Sequence, residues 1–427
     1  MIGADFKLTE SCECEQIIPA SVREEAGVIF DREGFPTTKH EEWRFTSLRE
    51  MAETKFEFEP AAVTLSEQDI DPVAMPANSS RLVFVDGKFD VELSKTVDLP
   101  DGVVISSLKY AITEHRELVE SNLGKIIALD ETPFVALNTR MVADGAFIYV
   151  PKGLIVEKPI YVVHVATSQS NPTLTNPRAL FIFGEDSQAK VVETSLSLGG
   201  RSWQNAVTEI TVGDNAVVEH VRLQLGSEDA YHITNLQVQQ GRTANFKTTA
   251  VTIGGKIVRN DVNGLLNGEG TECTMNGLFV GRGEQHVDNH TRLDHAFPHC
   301  PSHELFKNVL DDKSSAVFNG KIIVRQIAQK TDSKQSNMNL LLSDDAIVNT
   351  KPQLEIFADD VRCTHGATIG RLDEEAMFYL RSRGIPQAEA QNLLVYAFAS
   401  DVLDRIGIED VRDTLEARLL QRFHPTA

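Results

Sequence analysis

The spacing of hydrophobic and polar positions changes twice along the 427 residues, and the three rhythms predict three kinds of structure. Up to about residue 135 helical and strand signals alternate. Residues 19–33 (PASVREEAGVIFDRE) carry a helical pattern that Gly34, Phe35 and Pro36 break. RLVFVDGKFDVEL, residues 81–93, sets Asp86-Gly87 between two apolar runs and predicts a hairpin turn there. Residues 108–123 return to helical spacing. From about 136 to 372 the chain is rich in Val, Ile, Thr and Asn. It is broken every few residues by Gly, Asp or Asn, and almost no helical period remains. Residues 373–427 are helical again. Asp373 is placed to cap a first helix, Gly384 stops it and Pro386 opens a second. In that second helix Ala390, Leu393, Leu394, Ala397, Phe398, Val402 and Leu403 fall on one face, and Val411, Leu415 and Leu419 repeat the pattern in a third.

The middle region also repeats itself. Small or apolar residues after a polar turn recur at Ala189, Ala216, Ala244 and Cys273, at intervals of 27, 28 and 29 residues, and again at Ala316 and Ala346, 30 apart. Strand-rich repeats of this length predict a β-solenoid, each copy forming about one coil and stacking on the next. An evenly spaced β-sandwich is the alternative. The fold class expected is therefore mainly β. A mixed helix and strand region (1–135) precedes a solenoid core (136–372), and a helical region (373–427) closes the chain by capping the exposed edge or by presenting a face to a partner.

Charge narrows the function. With 62 Asp and Glu against 41 Lys and Arg, the formal charge is −21. A field of that sign repels phosphate backbones and anionic lipid, which argues against nucleic-acid and membrane-surface partners. The N-terminal MIGADFKLTESCECEQ has acidic residues and no apolar core, unlike a secretory signal, and no stretch of about 18 apolar residues suggests a membrane span. Five cysteines, Cys12, Cys14, Cys273, Cys300 and Cys363, are too few and scattered for a disulfide framework. A reducing cytoplasm is the expected compartment.

Three groups could carry chemistry. Cys363 and His365 are two apart, so on a strand they share a face and make half of an iron or zinc site, with Asp359 and Asp360 close by as oxygen ligands or as a turn. His286, His290, His295, His299, Cys300 and His303 gather five of the twelve histidines into eighteen residues. They form a metal site or line a polar solenoid face. Cys12-Glu13-Cys14 can bind soft metals or be an incidental pair of thiols. Trp43, in KHEEWRFTSL, is expected to anchor an apolar cluster. No GxxxxGK[ST] loop, G-x-S-x-G elbow or dinucleotide-binding glycine loop is present, and VGRGEQH lacks the P-loop lysine.

VFNGKIIVRQIAQKTDSKQSNMNLLLS and TKPQLEIFADDVRCTHGATIGRLDEEAMFYLRSRGI, within residues 317–385, closely resemble the SufB/SufD family of iron–sulfur cluster assembly scaffolds. The likeness extends through VDNHTRLDHAFPH, ALNTRMVADGAFIYVPKG and KHEEWRFTSL. Within the family the chain is more similar to the SufD branch, because Thr364, His365 and Gly366 follow Cys363 where SufB-type sequences tend to read Glu-His-Glu-Ala.

The resemblance implies a right-handed parallel β-helix flanked by N-terminal and C-terminal helical regions. It implies a non-catalytic scaffold that pairs with a SufB-like chain through the β-helix and with a SufC-like ATPase through the C-terminal helices. A homodimer is open to the chain when SufB is absent. ATP-driven closure of the ATPase pair would rearrange the interface where iron and sulfur meet. His365 is then expected to be an iron ligand or the residue that admits iron, and Cys363 a supporting thiol. The principal sulfur acceptor is expected on SufB. No cofactor is expected to stay bound to the isolated chain, iron or a nascent cluster being held transiently. Two rivals remain: a self-contained metal-binding protein, and a β-helix enzyme acting on polysaccharide.

Overall fold

Residues 17–58, 63–71, 75–168 and 171–423 are described by a computed structural model; Cys12 and Cys14 lie outside these residues. Successive strands of the middle region alternate between two sheets. Val217–Leu225 and Asn245–Thr252 are neighbours in one, and Tyr231–Gln240, which lies between them in sequence, belongs to the other. Nearly every pairing is parallel, and the result is a parallel β-solenoid of about eight turns, with 42% strand and 22% helix overall. In the first sheet Val218 lies beside Phe246, Phe246 beside Cys273 and Cys273 beside Ser302. The coil length is thus the repeat length read from sequence.

The phase of that repeat has a physical origin at one corner. Asp186, Asn215, Thr243, His299 and Lys330 adopt left-handed φ values of 58°, 57°, 51°, 60° and 63°, and Gly270 does the same at 71°. Each is followed by a small buried residue: Ser187, Ala216, Ala244, Thr271, Cys300 and Thr331. Asp and Asn tolerate this conformation best, which is why they punctuate the region. Ala189 and Cys273 lie two residues beyond the small residue of that corner, Ala316 lies on a strand of the second sheet, and Ala346 immediately precedes the next strand of that sheet. The six positions therefore share a period but not one structural column.

Three apolar layers hold the coil together. Leu82, Val162, Val191, Val218, Phe246 and Met275 face Ile148, Phe181, Ile210, Leu236 and Leu293 inside the solenoid. The outer face of the second sheet, with Trp203 and Tyr231, packs against the N-terminal segment through Phe35, Trp43 and Phe134. Trp43 anchors this cluster as expected, its ring 5.5 Å from that of Phe134. The outer face of the first sheet, including Tyr161, Val221 and Leu278, packs against the C-terminal helices through Val395, Val402, Leu415 and Leu419.

The N-terminal elements follow the sequence pattern. A helix spans Ala20–Glu33 and ends at Gly34, φ +61°. The hairpin turns at Asp86 (φ 48°) and Gly87 (φ 79°), pairing Phe84 with Phe89. Residues 108–123 form two helices, Leu108–Glu114 and Arg116–Asn122, that meet at His115. Strand Ser80–Val85 runs parallel to Ile160–Ser168, and Val104–Ser107 pairs antiparallel with Ala146–Val150, so residues before 135 complete the first coil. Helix Pro133–Met141 crosses residue 135 itself.

The C-terminal helices correct two expectations. They lie along the outer face of the first sheet and, among the described residues, leave the last coil uncapped. Asp373 caps Glu374–Ser382 through the N–H groups of Glu375 and Ala376, as read. In Gln387–Leu403 the buried positions are Ala390, Asn392, Val395, Ala399, Val402 and Leu403, whereas Leu393 and Ala397 are exposed. That helix carries apolar residues on most of its circumference, so its sequence does not single out one face. Val411, Leu415 and Leu419 are buried as expected.

The open end of the solenoid as candidate site

Parity along a strand decides which side chains enter the coil. In Asp332–Leu341 Ser333, Gln335, Asn337 and Asn339 are buried inside the coil, and Leu340 is buried on the outer face beneath the C-terminal helices. The last strand of the first sheet, Arg362–Gly370, sets Cys363 beside Ser333 and His365 beside Gln335. Cys363, His365, Ala367 and Ile369 thus occupy the inward-facing row of the final coil, and among the described residues no further coil covers them. His365 is exposed and Cys363 half-buried against Ile322, Val324 and Ala328. The companion strand, Ile347–Ile356, ends the second sheet in the same way. Among the described residues each of these two strands pairs on one side only, which leaves two rows of backbone donors and acceptors free.

A line of hydroxyls leads to this end from inside. His295 Nε2 is 3.0 Å from Ser302 Oγ, which is 2.7 Å from Ser333 Oγ, and Ser333 is the in-register neighbour of Cys363. Burial, with Asp332 adding, pushes the Cys363 thiol above its ordinary value, so the free chain holds it protonated at neutral pH. Asp360 braces a turn, paired with Lys330, and its backbone carbonyl accepts the Lys330 N–H at 2.7 Å; Asp359 is exposed in the same turn.

The dense run of histidines disperses. His286 bridges Thr46 and Ser315 at 2.8 Å each. His290 faces outward between Asp288 (2.9 Å) and Glu42 (3.2 Å). His295 enters the coil, where burial drives its pKa down to about 4. His299 is a left-handed corner residue, Cys300 is the small residue after it with Sγ 3.2 Å from the Gly268 carbonyl, and His303 faces outward beside Thr274 and Lys334. Two strands and the corner between them carry these residues onto different faces. Among the described residues no group of three His, Cys, Asp or Glu side chains converges to hold a metal.

Sequence reading missed Gln335 and Glu304, which line the coil behind His365. Gln335 lies in SKQSNMN, polar at every position but Met338, which reads equally as a solvent-facing strand, and Glu304 in SHELF reads as an outward charge. No helix is long and apolar enough to cross a membrane among the described residues.

Comparison with known proteins accords with this geometry. Residues 164–398 match the family model described as SUF system FeS cluster assembly, SufBD core domain, and residues 10–162 match the SufBD protein N-terminal region. An iron–sulfur cluster assembly SufBD family protein of Synechocystis is 34% identical over 94% of this chain and 90% of its own length. The iron–sulfur cluster assembly protein SufD of Escherichia coli is 34% identical over 92% of this chain and 90% of its own. That of Bacillus subtilis is 32% identical, covering 76% and 75%. A parallel solenoid matched across its core and its N-terminal region places this chain in the SufBD family of iron–sulfur cluster assembly proteins.

Proposed function

We propose that this chain is a cytoplasmic scaffold subunit that joins a SufB-like chain through the open end of its solenoid and a SufC-like ATPase through its C-terminal helices. The nascent cluster would form at the shared end, with His365 as iron ligand and Cys363 as a supporting thiol. The observation that carries this reading is the Cys363 and His365 pair on the uncovered row of a coil whose two strand edges are free. Two ligands fall short of the three or four that a stable site needs, so another chain would supply the rest. That argument favours a shared site over a self-contained one. Iron and sulfide are cargo here, held for transfer. Phe378 (75% exposed) and Tyr379 (57%) form an apolar patch on helix Glu374–Ser382 and support docking of the ATPase there.

Co-expression with SufB-like and SufC-like partners tests the assembly, the expected native mass being one copy of each scaffold with two ATPases. His365→Ala is expected to lower cluster yield in that complex roughly tenfold or more, and Cys363→Ala less, with circular dichroism unchanged for both. Normal yield from both variants would remove the site.

A further inference from the structure

Glu304, Gln335 and His365 occupy one inward-facing column on three adjacent strands. The first two are 3% and 1% exposed. Gln335 Nε2 donates to Glu304 Oε2, and this contact commits the amide N–H side of Gln335 toward the interior. The other side of the same planar group, Oε1, is buried without a hydrogen-bond partner. Across the coil stands Gly320, where a Cβ would overlap the Gln335 amide, so the absence of a side chain there gives the amide its place. A buried amide oxygen without a donor is costly, and the next residue along the column is His365, in register with Gln335 on the neighbouring strand.

We infer that Gln335 is a positioning residue for His365, its Oε1 accepting a hydrogen bond from the ring N–H and leaving the other nitrogen's lone pair for iron. The inference rests on the proposed role of His365. A neutral imidazole carries one N–H, so an acceptor fixed on one side selects the tautomer. Such outer partners orient metal-binding histidines generally. The anchor holds in both states of Glu304, since a carboxylate oxygen and a carboxyl carbonyl can each accept the amide N–H.

The test uses the full-length chain with 15N-labelled histidine, the His365 signals being identified by their loss in His365→Ala. One dominant tautomer is expected in the natural chain and a mixture in Gln335→Leu. The pair Glu304→Leu with Gln335→Leu should give the same mixture while leaving no carboxyl unpaired, which guards against a folding defect. In the complex with its scaffold and ATPase partners, Co(II) as probe should bind about tenfold more weakly to both Gln335 variants. Identical His365 tautomers in the natural chain and both variants would overturn the inference. A tautomer shift with unchanged Co(II) affinity in His365→Ala would instead overturn the ligand reading while the Gln335 contact stood.

Discussion

Glu304 is 3% exposed inside the solenoid, where the Gln335 amide N–H donates to it. Burial dominates, and its pKa is pushed up to about 7. An unfolded glutamate releases its proton near pH 4.3, so between that pH and 7 the folded state binds more protons. Stability from this group is therefore fully present below about pH 4.3 and is lost as pH rises through 7, by on the order of 3 kcal/mol. Glu304→Gln should remove that slope. Urea unfolding at pH 5 and pH 8 is expected to show the variant gaining stability relative to the natural chain at the higher pH; equal differences at both would contradict a neutral buried acid. At this scale the sequence exposed Cys363 and His365 because their residue types are rare and chemically marked. It hid Glu304 and Gln335, since a charged or amide residue at alternate strand positions normally faces water.

The element that ties the N-terminal region to the solenoid is the segment Glu41–Trp43 with Thr46, laid on strand His286–His295. Arg259 stacks over Trp43 at 4.4 Å, donates to the Glu42 carbonyl at 2.8 Å and pairs with Asp288 at 2.7 Å. His290 completes the clasp between Asp288 and Glu42. Burial opposes charge on His290, but Asp288 and Glu42 outweigh it and raise its pKa. The sign follows from that direction: the contribution is whole below about pH 6.5 and fades as pH rises through the higher folded value. His290→Ala should cost about 1–3 kcal/mol below pH 6 and less above pH 8, read from thermal or urea unfolding at both. A cost that does not vary with pH would mean the ring acts by packing alone. The expected histidine metal site is thus partly a strap: the sequence showed the cluster, but the partners Glu42 and Thr46 lie some 240 residues away along the chain.

For the whole molecule the two ends of the solenoid differ. The first coil is closed by the antiparallel hairpin Ser80–Phe89 and by Val104–Ser107, while the last coil ends on open strands. Open strand edges invite pairing with another chain. Ile369, 52% exposed on the final strand, lies in that row. Ile369→Lys should abolish the heavier species in native mass measurement with the scaffold partner, while leaving stability within about 0.5 kcal/mol. An unchanged assembly would move the interface elsewhere. Removing the C-terminal helices would be a poor test of ATPase docking, because it would bare Tyr161, Val221, Val251 and Leu278 beneath them. Substituting Phe378, which supports no core, is the cleaner experiment.

The sequence by itself determined the solenoid, its coil length, the hairpin and the helix caps, because strand period, turn residues and repeat length are local properties. It also marked the Cys363 and His365 pair and the family resemblance. Only the tertiary structure decided the rest. The corner that sets the phase of the repeat depends on left-handed residues of several types, Asn, Asp, Thr, His and Lys, that no single pattern unites. The face that Gln387–Leu403 buries depends on the sheet it meets. Whether a row of inward residues becomes core or stays uncovered depends on whether another coil follows, and for Cys363 and His365 none does among the described residues.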